Sequence, residues 1–179
     1  MLKRLGSTVF LGSALLFAAG CATAPEPQAS GAPAAYCDLS PEVLGGPTGR
    51  ASFTQREGFL HIDVQLAGLS PGLHGIHVHE KGDCSDKGMA AGGHFNPDGH
   101  MHGMAEDKNS HAGDLGNIKA DAEGKADLSF DDPYLALTGP HSVVGLSLVV
   151  HADPDDMTTQ PSGNSGARIA CGIVNRVTQ

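Results

Sequence analysis

The chain has 179 residues and a formal net charge of −9, from 11 Lys and Arg against 20 Asp and Glu. That balance excludes nucleic acid as a partner, because phosphate binding needs clustered cations. The lack of Trp, with only two Tyr, excludes aromatic stacking platforms for bases.

Met1-Leu2-Lys3-Arg4 is a basic start, residues 5–19 are apolar or small, and Ala18-Ala19-Gly20 precedes Cys21. This stretch is too short and wrongly flanked for a spanning helix, so residues 1–20 are expected to form a signal peptide. Its ending resembles a bacterial lipoprotein signal. That resemblance implies lipidation of Cys21 and attachment of the mature protein to a membrane through this anchor. Ala18 departs from the larger aliphatic residue usual at that place, and an ordinary secretory signal cleaved nearby is the alternative. Ala22 is not an inner-membrane retention aspartate. The expected location is therefore periplasmic or cell-envelope, on the outer membrane where a cell has two. Residues 21–35, rich in Ala, Pro, Ser and Gly, read as a flexible tether. Residues 36–179 suit a single domain. Lys3 and Arg4 are the only charges in residues 1–20, so the remainder carries 9 basic (11 − 2) against 20 acidic residues, or −11.

The domain reads as all-β. Residues 36–43 should start the sheet, but Asp38 and Pro41 suit an edge at best. Residues 50–55 and 59–66 are extended runs around a turn at Glu57-Gly58, and residues 61–66 alternate strictly as a half-buried strand should. Ser70-Pro71-Gly72 turns the chain into a strand at 73–79. Residues 82–110 have no period and many Gly, Asp, Asn and His; a loop this long in a compact domain is usually functional. Residues 117–120 and 125–130 flank a hairpin turn at Asp121-Ala122-Glu123-Gly124. A strand is expected at 143–150, a second polar loop at 152–166 and a last strand at 167–174. Short strands separated by turns fit an antiparallel sandwich or barrel.

Six histidines and an aspartate carry the chemistry. His77 and His79 lie two apart in a strand, so both rings point to one face and can hold one ion. His94, His102, His111 and Asp114 follow in Gly-rich sequence, and His151 ends the 143–150 run. Neutral imidazole suits copper and zinc, and a carboxylate adds a hard, negative ligand. This set is enough for two adjacent sites, one all-nitrogen and one His3Asp. With Cys21 assigned to lipid, Cys37, Cys84 and Cys171 remain. An exported protein permits one disulfide among them and leaves one odd cysteine.

Gly75-Ile76-His77-Val78-His79-Glu80-Lys81-Gly82-Asp83-Cys84 resembles the first signature of Cu,Zn superoxide dismutases. Gly92-Gly93-His94-Phe95-Asn96-Pro97, His102-Gly103 and His111-Ala112-Gly113-Asp114-Leu115-Gly116-Asn117 resemble that family's zinc loop. Gly163-Asn164-Ser165-Gly166-Ala167-Arg168-Ile169-Ala170-Cys171-Gly172 resembles its second signature. Glu80 to Cys84 and the short second loop with Thr158-Thr159-Gln160-Pro161 resemble the bacterial branch.

The resemblance implies an eight-stranded Greek-key β-barrel with the site outside it, under two long loops. It implies copper on His77, His79, His94 and His151, and zinc on His94, His102, His111 and Asp114. His94 would then bridge the two ions as an imidazolate. Asp155, rather than the adjacent Asp156, would link His77 to His102. Arg168 would guide the anion. The implied reaction is dismutation of superoxide to dioxygen and hydrogen peroxide, with His94 delivering a proton. A non-catalytic copper/zinc-binding lipoprotein, acting as carrier or buffer, is the alternative. Oligomeric state varies among bacterial members, which leaves a homodimer open.

Cys84 closes the first signature and Cys171 lies beside Arg168, so these two are expected to pair across 87 residues (171 − 84). Cys37 is then a free thiol or a partner for another chain. Lys81 and Lys87 are candidate steering charges that more often are simply solvated. His61 reads as a surface or packed side chain, His74 as structural and His141 as a turn residue. His100 competes with His102 for zinc; the eight-residue step from His94 and Gly103 favour His102. Met89, Met101 and Met104 invite a copper-loading role, because thioether suits Cu(I), although loop methionines are more often incidental.

Overall fold

A computed structural model describes residues 34–178; the expected signal peptide, lipidated Cys21 and nearly all of the tether lie outside the described residues. The strands are β1 (Ala35–Pro41), β2 (Thr48–Arg56), β3 (Phe59–Ala67), β4 (Gly72–His79), β5 (Asp114–Ala120), β6 (Lys125–Asp132), β7 (Ser147–His151), β8 (Arg168–Ile173) and the two-residue β9 (Asn175–Arg176).

Residues of β3 alternate as their sequence predicts: Leu60, Ile62, Val64 and Leu66 are buried, and the residues between them are not. The same period in β1 and β2 sends Cys37, Leu39, Ala51 and Phe53 inward. The neighbour order is β2-β3-β6-β5-β4-β7-β8-β1, and β1 also pairs with β2, which closes an eight-stranded antiparallel barrel. β9 adds a short pairing to β1. Closure leaves no long free edge. The core fills the interior with Phe53, Leu60, Ile62, Ile76, Ile118 and Leu148 among its largest members.

β4 departs from alternation, since every residue from His74 to His79 is buried. Ile76 and Val78 join the core. His77 and His79 point the other way, out of the barrel, and are buried by the loops that cover that face.

The structure corrects several expected boundaries. The first strand is no edge: β1 pairs with β2 on one side and with β8 and β9 on the other. Pro41 is tolerated because it is the last residue of the strand, and Asp38 faces out to Arg50 at 2.6 Å. The run at 143–150 is strand only from Ser147. Gly145, at φ 84°, turns the chain there, and Val143 is buried without being in a strand. Apolar character alone cannot tell a buried turn from a strand. β5 begins at Asp114, three residues before its expected start, so that ligand candidate belongs to a strand. The loop after β4 contains a single 3-10 turn, Met89–Ala91.

Candidate metal centre

His77 and His79 stand on β4 and His151 ends β7, its hydrogen-bonded neighbour. Pairing irregularities fall beside both, between Gly75 and His77 and between Val150 and His151. Such bulges re-aim side chains at sites. His94 reaches the same face from the loop, through a bridge to His79. The loop is stitched to β4 by Phe95 N–H to Val78 O, Val78 N–H to Gly113 O and Gly113 N–H to Phe95 O, all 2.8–2.9 Å. Only glycine fits at 113, because a Cβ there would collide with the Val78 carbonyl oxygen.

Two groups of four ligand atoms result, with the atoms of each group within 4.8 Å of one another. One is His77, His79, His94 and His151; the other is His94, His102, His111 and Asp114. His94 belongs to both. A third group, Glu42 with Cys84 and Cys171, offers no thiolate, because these cysteines form a disulfide.

The hydrogen bonds decide which nitrogen faces each centre. His77 donates through Nε2 to Asp155 Oδ2 at 2.8 Å, His79 through Nδ1 to Gly92 O at 3.0 Å, and His151 through Nδ1 to Gly166 O at 3.3 Å. Their other nitrogens, together with His94 Nε2, His102 Nδ1 and His111 Nδ1, are buried with no hydrogen-bond partner. A buried polar atom without a partner costs about 1–3 kcal/mol. Six of them converging in two groups fit metal coordination. On the His3Asp side, Asp114 Oδ1 lies 2.7 Å from His94 Nδ1, 3.0 Å from His102 Nδ1 and 3.3 Å from His111 Nδ1. Asp114 Oδ2 is turned away, accepting the N–H groups of Gly103 and His111 at 3.0 and 3.1 Å.

Burial holds His77 down to about 4, His79 to about 2 and His151 to about 3. These rings are neutral at physiological pH and keep a lone pair for a metal. Burial alone would raise Asp114, but the hydrogen bonds from His94 and the Gly103 N–H win and hold it at about 2. Asp155 is likewise lowered against its burial, by His77, the Met157 N–H and His102. It spans the two groups, accepting from His77 at Oδ2 and from His102 Nε2 at Oδ1, 2.9 Å away. Asp156 instead binds the backbone and hydroxyls of Thr158 and Thr159.

Arg168 opens β8 and is half-buried. It donates to Gly88 O at 2.5 Å and Gly92 O at 2.6 Å, on either side of the 3-10 turn. The Gly92 carbonyl thus holds both His79 and Arg168. The guanidinium shares an open cavity with His79, Met89, His94, His111 and His151. Met101 and Met104 are exposed and absent from its lining, as are Lys81 and Lys87.

The disulfide joins Cys84 to Cys171, which follows Arg168 by three residues on β8. Cys37 is free but lies inside the barrel, where burial pushes its thiol up to about 12. Another chain cannot reach it in the folded domain.

The remaining histidines have ordinary partners. His74 Nδ1 lies 2.8 Å from the His151 carbonyl oxygen, and its Nε2 lies 2.9 Å from the Ser70 carbonyl oxygen and 3.2 Å from the Ser70 hydroxyl. His61 sits between Asp63 and Asp131, His141 bonds Tyr134 O and Asp98, and His100 bonds Ser110 O outside both groups.

Two further residues support the ligand loops. The Asn117 carboxamide pairs with both main-chain groups of Asp155, at 2.9 and 2.7 Å. Gln160 does the same for His102. No spacing rule marks an amide that binds the backbone of a distant loop.

The family model "Copper/zinc superoxide dismutase (SODC)" matches residues 47–174, a span that contains all seven residues of the two groups as well as Asp155 and Arg168. A solved structure titled "Crystal Structure Analysis of the clock protein EA4" is 36% identical, with a TM-score of 0.74, over 81% of this chain and 96% of that one. Fold, ligand geometry and family match agree, and the chain belongs to the copper/zinc superoxide dismutase family.

Proposed function

We propose that this protein is a superoxide dismutase, converting two superoxide anions and two protons into dioxygen and hydrogen peroxide. One observation carries the reading. His94 presents Nδ1 to the Asp114 group and Nε2, buried and unpartnered, to the all-histidine group. A ring shared in this way couples two metal sites, which a simple store does not need.

Copper held by His77, His79, His94 and His151 would supply one-electron chemistry in both directions, and zinc held by His94, His102, His111 and Asp114 would supply fixed charge without redox. The protein's own groups do the rest. Arg168 has five N–H donors in a rigid fork. Two are spent on Gly88 and Gly92, which fixes the plane and leaves the others for a small anion in the cavity. His94 Nε2 can hold a proton and pass it to the departing peroxide while Nδ1 stays anchored beside Asp114. Asp155 keeps His77 and His102 in the tautomers that turn their Nδ1 atoms inward.

Residues 1–35 support an exported protein anchored by lipid at Cys21 in the cell envelope. Cys21→Ser should then move the protein from the membrane fraction to the soluble one; retention in the membrane would refute this anchor.

The test of function is metal content together with superoxide decay on the purified protein. One copper and one zinc per chain with rapid decay is the expected result. Two metals without decay would replace the enzyme by the carrier.

A further inference from the structure

We infer that Gln160 is a positioning residue for the zinc ligand His102, pre-setting the middle of the zinc loop from across the site. The inference rests on the zinc assignment above.

His102 is the ligand least supported by regular structure. His94 is bridged to β4, and Asp114 begins β5 with His111 three residues before it. His102 lies midway, in irregular chain, yet it is only 4% exposed. Among the described residues, neither its N–H nor its carbonyl takes part in a main-chain hydrogen bond. Both are met by one side chain. The His102 N–H donates to Gln160 Oε1 at 2.8 Å, and Gln160 Nε2 donates to the His102 carbonyl at 2.8 Å. The carboxamide thus replaces the neighbouring strand that this segment lacks.

Gln160 is itself held. Asp156 gathers the N–H groups of Thr158 and Thr159 at 2.9 and 2.8 Å, and the Thr159 carbonyl accepts from Gly163 N–H at 2.7 Å. Gly163 has φ +66°, and a Cβ there would overlap Asp155 Oδ1 and His102 Nε2. The second loop therefore lies directly over the His102–Asp155 bond, and Gln160 grips the main chain of the same histidine whose ring Asp155 grips. Ordering a residue's backbone costs conformational entropy. A clip already closed before metal arrives removes part of that cost from zinc binding.

The experiment is zinc affinity by chelator competition, with Co(II) as a spectroscopic probe of the same site, on the wild type and on Gln160→Met and Gln160→Asn. Met keeps the length without polar atoms; Asn keeps the amide but falls a methylene short. Both variants should bind zinc about 10- to 100-fold more weakly, the range for lost outer hydrogen bonds. Copper affinity should be unchanged, and the Co(II) spectrum should shift. A loop staple with a purely structural role would lower the melting temperature while leaving zinc affinity and spectrum alone. A loss of zinc affinity smaller than about tenfold, in either folded variant, overturns the inference. Hydrogen exchange on the metal-free wild type needs no variant: a His102 amide exchanging as fast as an open chain also overturns it. Failure of the wild type to bind zinc or cobalt at all would instead refute the zinc assignment.

Discussion

The two groups that share His94 are built from different material. His77, His79 and His151 stand on paired strands of the barrel, and their spacing follows from strand geometry. His102 and His111 stand on loop; Asp155 and Gln160 reach across to His102, and Asp114 holds the His111 N–H from three residues along the chain. The first group contains nitrogen alone and is held by the fold. The second contains a carboxylate and is held by a web of side-chain bonds. Copper ligation should therefore survive damage that zinc ligation does not.

The largest expected effect comes from the shared ring. His94→Ala should abolish superoxide decay and weaken both metals, whereas His77→Ala should abolish decay and leave zinc bound. Metal analysis of the two variants checks this; loss of zinc from His77→Ala would mean that the groups are not separable.

Breaking Cys84–Cys171 should come next. Closure of an 87-residue loop is worth at most about 4–5 kcal/mol through chain entropy. The bridge also ties the loop carrying Gly88 and Gly92 to the strand carrying Arg168. Denaturant titration of the reduced protein should show a large loss of stability, with the loop side loosening first.

Acid acts on the strand-borne group. In the metal-free protein, burial lowers His77 to about 4, His151 to about 3 and His79 to about 2, against an unfolded value of 6.5. The unfolded chain therefore binds more protons in this window, and stability falls as pH drops from 6.5 through these folded values. A metal-free domain with stability constant from pH 7 to 4 would contradict the burial of these rings.

Asp155→Asn should lower zinc affinity about 10- to 100-fold, with less effect on copper, because His77 keeps its strand while His102 loses a main support. The smallest effect belongs to Arg168→Ala. Both metals should stay, while the decay rate and its dependence on ionic strength fall; an unchanged rate would remove the guiding role.

The same division explains what the sequence could reveal. The β3 alternation and the His77-Val78-His79 pair follow local rules of strand geometry, and both are legible from residue order alone. The loop residues His94, His102, His111 and Asp114 are legible as ligand candidates from residue type, but irregular chain has no period, so their division between the two sites comes from motif resemblance. β7 is shorter than its apolar run because Val143 is buried in a turn, and burial without periodicity looks like strand. In β1, Asp38 and Pro41 read as edge residues, yet Asp38 has an Arg50 partner and Pro41 needs no donor at a strand end. Gln160 and Asn117 were invisible, because an amide that pairs with a backbone far along the chain leaves no trace in spacing.

The most direct measurement is a crystal structure with anomalous scattering recorded at the copper and zinc edges. Two distinct peaks are expected, each about 2 Å from a different nitrogen of His94, copper at Nε2 and zinc at Nδ1. A single peak, or a His94 ring touching only one ion in fully loaded protein, would contradict the account.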